Sequence, residues 1–172
     1  MQKGLTMKTK NIILVGLMGA GKTTVGKELA KLLHYSFLDI DDEIEKNEKR
    51  KISKIFQEDG EPYFRQLETN TIKNFENVEK IVLSTGGGAL QKDENITALQ
   101  KTGTLVYLQA SVDTLYQRLL NEIDNRPMLH EENPKQKLSY LLQIREKNYL
   151  KADITIQTEN KKPQEICQEI YQ

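Results

Sequence analysis

The stretch Gly16-Leu17-Met18-Gly19-Ala20-Gly21-Lys22-Thr23 matches the spacing G-x-x-x-x-G-K-[ST], and its flanks constrain the fold more than any other feature. Before it, Asn11–Val15 is a continuous apolar run, as expected of a strand buried on both faces. After it, Lys22–Leu33 places Val25, Leu29, Leu32 and Leu33 along one helical face. A glycine-rich turn between a buried strand and a helix start is built to hold phosphate. Its backbone N–H groups curl around the oxygens, and the helix adds the positive end of its dipole. Lys22 would reach the β- and γ-phosphates and the Thr23 hydroxyl would ligate Mg²⁺, with Gly19, Ala20, Gly21 and Thr24 lining the ATP side.

The rest of the chain keeps alternating. Strands are expected at Phe37–Asp39, Lys80–Leu83, Thr104–Leu108 and Ile154–Ile156. Helices are expected at Ser53–Phe56, at Glu61–Phe75 and over Val112–Asn121 behind a Ser111 cap. Two more follow, one from Pro134 to Leu150 and one from Pro163 onward. Strands alternating with helices imply a parallel sheet covered on both faces, an α/β/α three-layer domain. The 172 residues show no boundary and read as a single domain, with residues 1–9 disordered. Asn121–Pro134, holding prolines and many polar residues, reads as a mobile lid.

Composition narrows the function. With 25 basic and 25 acidic residues the net charge is zero, which argues against a nucleic-acid or membrane-surface binder. Cys167 is the only cysteine and the histidines, His34 and His130, lie far apart, so there is neither a disulfide nor zinc spacing. No leader-like apolar segment opens the chain, and a cytoplasmic monomer is expected. Asn160-Lys161-Lys162-Pro163 begins like the guanine-reading N-K-x-D but lacks the aspartate, and Ile81-Val82-Leu83 runs into Ser84 where an ATPase module carries an acid. These features direct the reading to a small-molecule kinase.

Acceptor-side candidates follow the second strand. Asp39 and Asp41 flank Ile40, and strand alternation would put both carboxylates on one face, near Mg²⁺ and an acceptor hydroxyl. The same acidic run reads equally well as a helix N-terminus. Arg65 and Glu68 stand at i, i+3, as an exposed ion pair or as part of a site. Arg145 falls on the apolar face made by Leu138, Leu141, Leu142 and Tyr149, where a guanidinium needs either a structural partner or a substrate carboxylate. Gly86-Gly87-Gly88 after a buried strand permits close approach of a ligand, or simply makes a turn. Arg126 sits in the lid loop, within reach of a transferring phosphate or of solvent.

In combination, the phosphate loop, Asp39-Ile40-Asp41, Phe64-Arg65-Gln66-Leu67-Glu68, the triple glycine, Arg126-Pro127-Met128-Leu129 and Arg145 resemble the shikimate kinase family, in order and spacing. The resemblance implies a P-loop kinase fold with five parallel strands in the order 2-3-1-4-5. It implies phosphorylation of the 3-hydroxyl of shikimate, with ATP as co-substrate and Mg²⁺ as cofactor. It assigns shikimate to Asp41, Arg65, Gly86, Gly87, Gly88 and Arg145, and Mg²⁺ to Thr23 and Asp39. Lys22, Asp41 and Arg126 become the catalytic set, with Arg126 on the closing lid. Arg118 matches a position that flanks adenine, and Lys161 one near the nucleotide. A gluconate kinase on the same fold is the nearest alternative enzyme, and it is expected to lack the Phe64-Arg65-x-x-Glu68 and triple-glycine pair. A non-catalytic nucleotide-binding module is the other alternative.

Overall fold

A computed structural model describes residues 11–120 and 132–172. The expectations for residues 1–9, and for Arg126 with most of its loop, lie outside the described residues. Five parallel strands form one sheet: β1 (Asn11–Val15), β2 (Ser36–Asp39), β3 (Ile81–Ser84), β4 (Thr104–Gln109) and β5 (Ile154–Gln157). Their order is β2-β3-β1-β4-β5, as the resemblance implies. β1 is central and buried along its whole length because Ile12, Ile13, Leu14 and Val15 meet helices on both faces. Its register sets Ile13 beside Leu83 of β3 and Leu105 of β4. Each such fully buried aliphatic side chain contributes about 1.5–3 kcal/mol. At the start of β1, Asn11 is also buried. Its amide donates to Val78 O and Thr102 O and its Oδ1 accepts from Ile81 N, so this polar residue ties the segment before β3 and the residue Thr102 to the sheet.

The helices are α1 (Lys22–Leu33), α2 (Ile40–Glu48), α3 (Ile52–Asn74), α4 (Asp93–Thr102), α5 (Val112–Leu119), α6 (Pro134–Tyr149) and α7 (Pro163–Tyr171). α1 packs on α7 and β3, α3 on α4, and α5 on α6. Cys167 sits within α7, buried against Val25 of α1. Among the described residues no helix is long and apolar enough to cross a membrane.

One local expectation changes. Asp39 and Asp41 do not share a strand face. Asp39 ends β2 and caps α2, its Oδ1 accepting from Asp41 N at 2.9 Å and Asp42 N at 3.3 Å. Asp41 therefore lies in the first turn of a helix, where a carboxylate also meets the positive dipole end. Ser53–Phe56 and Glu61–Phe75 are the two arms of α3, bent at Gly60 (φ 81°, ψ 171°), with Pro62 opening the second arm. The helix α4 and a short 3₁₀ turn at Ala89–Gln91 fill a stretch that carried no expectation.

Candidate active site

The phosphate loop is held open by its own backbone. Gly16 has φ +144° and Gly19 φ +83°. A Cβ on Gly16 would lie 2.8 Å from Leu108 O, and one on Gly19 2.9 Å from Leu119 Cγ, so the loop is pressed against β4 and α5 with no room for side chains. Lys22 Nζ donates to Gly16 O at 2.7 Å and Leu17 O at 3.1 Å, which folds its charge over the hollow of the loop. Gly21 caps α1 without a side-chain acceptor, leaving the first-turn N–H groups directed into the same hollow.

Arg118 on α5 closes one flank. Its Nη1 donates to Gly19 O at 3.2 Å and to Thr158 Oγ1 at 3.2 Å, and its Nη2 to Thr158 O at 3.2 Å. Thr158 in turn donates to Gln109 O at the end of β4. Burial lowers the Arg118 pKa from its usual value. Glu159 binds Ser111 N at 2.8 Å and Thr114 Oγ1 at 3.0 Å, tying the segment after β5 to the start of α5. Lys161 reaches the cleft from that segment and pairs with Glu169 at 2.8 Å.

A cleft of about 410 Å³ runs from this loop toward β2 and β3. Gly19–Thr24, Asp39, Asp41, Gly86, Gly87, Arg118 and Lys161 all line it. Thr23 Oγ1 donates to Asp39 Oδ2 across 3.4 Å, so two hard oxygens stand together beside the loop. Among the described residues no group of three or more His, Cys, Asp or Glu side chains is placed to hold a metal ion.

The triple-glycine turn gathers the acceptor-side residues. A Cβ on Gly86 would stand 2.8 Å from Glu68 Oε2 and 3.2 Å from Asp41 Oδ1. One on Gly87 would stand 3.3 Å from Arg145 Nη1, and one on Gly88 2.5 Å from Arg65 Nη2. Side chains from α2, α3 and α6 thus converge on three residues that have none. The Arg65–Glu68 pair is not a surface ion pair: Arg65 is 16% exposed and Glu68 1%, with Nη1 to Oε1 at 3.0 Å. Glu61 holds the guanidinium from the other side, accepting from Nε at 3.3 Å and Nη2 at 3.2 Å. Arg145 is 4% exposed. Glu61 and the hydroxyl of Tyr149, which donates to Gly87 O, were not singled out from sequence. Glu61 lies four residues before Arg65, and Tyr149 four after Arg145; that spacing was the available signal.

Among the described residues, four buried side-chain atoms lack a hydrogen-bond partner: Asp41 Oδ1, Glu68 Oε2, Arg145 Nε and Asn95 Oδ1. The first three belong to side chains at this turn. Asp41 is only half-buried as a residue, but its Oδ1 is sealed from solvent. Burial, then the charges of Asp39 and Glu68, push its pKa up to about 7, against the pull of Lys22 and Arg65. Burial also raises Glu68, opposed by Arg65.

A phosphate loop after the central strand of a 2-3-1-4-5 parallel sheet, opening on a cleft with buried carboxylates and arginines, defines a small-molecule P-loop kinase. The family model for shikimate kinase matches residues 18–172. A shikimate kinase of Persephonella marina is 44% identical over 161 residues, covering 94% of this chain and 96% of that one. The chain belongs to the shikimate kinase family. The solved shikimate kinase from Acinetobacter baumannii in complex with shikimate superposes with a TM-score of 0.92 at 43% identity, over 96% of this chain and 92% of that one. A gluconokinase from Sinorhizobium meliloti, at 16% identity and a TM-score of 0.54 over 94% of this chain and 89% of that one, shares the fold alone.

Proposed function

We infer that this chain is a shikimate kinase, transferring the γ-phosphate of ATP to the 3-hydroxyl of shikimate. One observation carries the acceptor reading. Two carboxylate oxygens and a guanidinium nitrogen without partners belong to side chains gathered at one glycine turn, at the end of the phosphate cleft. Orphaned buried polar atoms are costly, so a ligand with both hydroxyls and a carboxylate is the natural complement. Shikimate has that chemistry.

In this reading Gly19, Ala20, Gly21, Lys22, Thr23 and Thr24 hold the phosphates, with Arg118 and Lys161 beside the nucleotide. Arg65 and Arg145 take the carboxylate, and the Gly86–Gly88 turn lets the ring approach backbone. Asp41 accepts the proton of the attacking hydroxyl, whose oxygen bonds to the γ-phosphorus as the bond to the β-phosphate oxygen breaks and ADP leaves. A carboxylate with a pKa near 7 is a far better base than an ordinary aspartate. Lys22 stabilises charge on the transferring group. Arg126, outside the described residues, takes the same role on the resemblance of its motif. Thr23 and Asp39 would hold Mg²⁺, which neutralises phosphate charge when bound. The reading is completed by one kinase domain acting as a cytoplasmic monomer, without nucleic-acid or membrane partners, and the zero net charge supports the last point.

A coupled ADP-release assay with ATP and Mg²⁺ tests it. Shikimate should elicit turnover and gluconate should not. Comparable rates with both acceptors, or with gluconate alone, would reassign the acceptor. No ADP release with any acceptor would favour the non-catalytic alternative.

A further inference from the structure

Tyr149 ends α6 with its ring fully buried and its hydroxyl donated to the carbonyl of Gly87. One turn earlier on the same helix, Arg145 sets its positive charge beside the Tyr149 hydroxyl. The hydroxyl therefore faces the guanidinium's charge while it donates to the glycine turn. The ring cannot swing away, because it packs against Tyr107 at 5.1 Å between centroids. Tyr107 is anchored in turn through Glu146 Oε1, which also accepts from Gln109 Nε2 at 2.8 Å. Burial pushes the Tyr149 pKa up to about 12, so at working pH the hydroxyl keeps the proton it donates.

We propose that Tyr149 is a positioning residue for the acceptor, setting the guanidinium of Arg145 and the backbone of Gly87 at a fixed separation through its hydroxyl. The glycine turn has no side chains with which to hold itself, and a Cβ on Gly87 would stand only 3.3 Å from Arg145 Nη1, so the place of the Gly87 backbone fixes the space beside that guanidinium. The proposal rests on the acceptor reading given above. It assigns to Tyr149 no contact with substrate.

The test is Tyr149→Phe, which keeps the ring and its packing and removes one oxygen. Tyr107→Phe is the control, since it deletes a hydroxyl from the same aromatic pair that faces Glu146 instead. Losing one positioning hydrogen bond should raise KM for shikimate by roughly three- to tenfold. The KM for ATP should stay within about twofold, and calorimetry should show the same split in Kd. Tyr107→Phe should leave the shikimate KM unchanged. Unchanged shikimate affinity in Tyr149→Phe, or equal losses for both substrates alongside a lowered Tm, would make the residue merely structural and overturn the proposal. If wild-type protein neither binds nor phosphorylates shikimate, the acceptor reading itself fails. An active wild type with an indifferent Tyr149→Phe sinks the positioning role alone.

Discussion

If Asp41 is the proposed base, activity and stability pull on it in opposite directions. Its folded pKa of about 7 stands above the 3.8 of an unperturbed aspartate, so the fold disfavours the ionised form that a general base needs. The neutral acid is tolerated and its contribution is fully present below pH 3.8, then is lost as pH rises through about 7. Asp41→Asn keeps the shape and removes the charge. At pH 8 it should be more stable than wild type, with each unit of pKa rise worth about 1.4 kcal/mol. Near pH 4 the difference should vanish. Its kcat should fall on the order of 10²-fold or more, and wild-type kcat should decline as pH drops below about 7. Urea midpoints at the two pH values, with pH–rate profiles, check all of this. A stability difference independent of pH would mean that Asp41 is not held against its ionisation. The identity of this carboxylate was legible in sequence, because its spacing from Asp39 drew attention to it. Its raised pKa was not, since that depends first on burial in the folded site, then on the charges of Asp39 and of Glu68 from another helix.

The β2–α2 junction shows how one residue serves an element and a site together. Asp39 divides its oxygens: Oδ1 caps α2, and Oδ2 meets Thr23. Asn caps a helix about as well as Asp, but a neutral amide is a poor Mg²⁺ partner. Asp39→Asn should therefore leave Tm within a few degrees of wild type while raising the Mg²⁺ concentration needed for half-maximal rate. If Tm fell as far as in Asp39→Ala and the Mg²⁺ requirement did not move, the residue would be a cap only. Sequence patterning left the junction open because a strand end and a helix start both accept an acidic run. It passed over α4 for a different reason: the buried face of that helix mixes Ile96 and Leu99 with Asn95 and Thr102, which dilutes the apolar periodicity. The break before Glu61 was legible as the gap between two helical stretches, and Gly60 with φ 81° is where the arms of α3 part. Strong elements such as β1, where apolar residues are continuous, were read to the residue.

At the scale of the molecule, the central strand separates two halves with different tasks. On the β4 and β5 side, Arg118, Thr158 and Glu159 brace the phosphate loop. On the β2 and β3 side, α2 and α3 bring Asp41, Arg65 and Glu68 to the glycine turn. Such a crevice, at the carboxyl ends of strands where the order reverses, is where open α/β sheets bind ligands. Arg145 crosses the division, because α6 packs on α5 yet delivers its guanidinium to Gly87. The sequence alone marked Arg145 as an arginine on an apolar face and left structural pairing and ligand binding equally open. The two arginines can now be separated by their partners. Arg65 has Glu61 and Glu68 already, so its truncation strands a buried Glu68 as well as losing the ligand. Arg145 has an unpartnered Nε and no carboxylate in a salt bridge with it among the described residues, so its truncation removes chiefly the proposed ligand's contact. Each Arg→Ala change should weaken shikimate binding by roughly 2–5 kcal/mol and leave ATP affinity almost untouched. Arg65→Ala should also lower Tm more than Arg145→Ala does. Calorimetry with each substrate, beside thermal melts, reads both effects. Loss of ATP affinity with shikimate binding intact would move the arginines off the acceptor half. A large Tm loss in Arg145→Ala with unaltered shikimate affinity would make that guanidinium a strut between α6 and the sheet instead of a ligand contact.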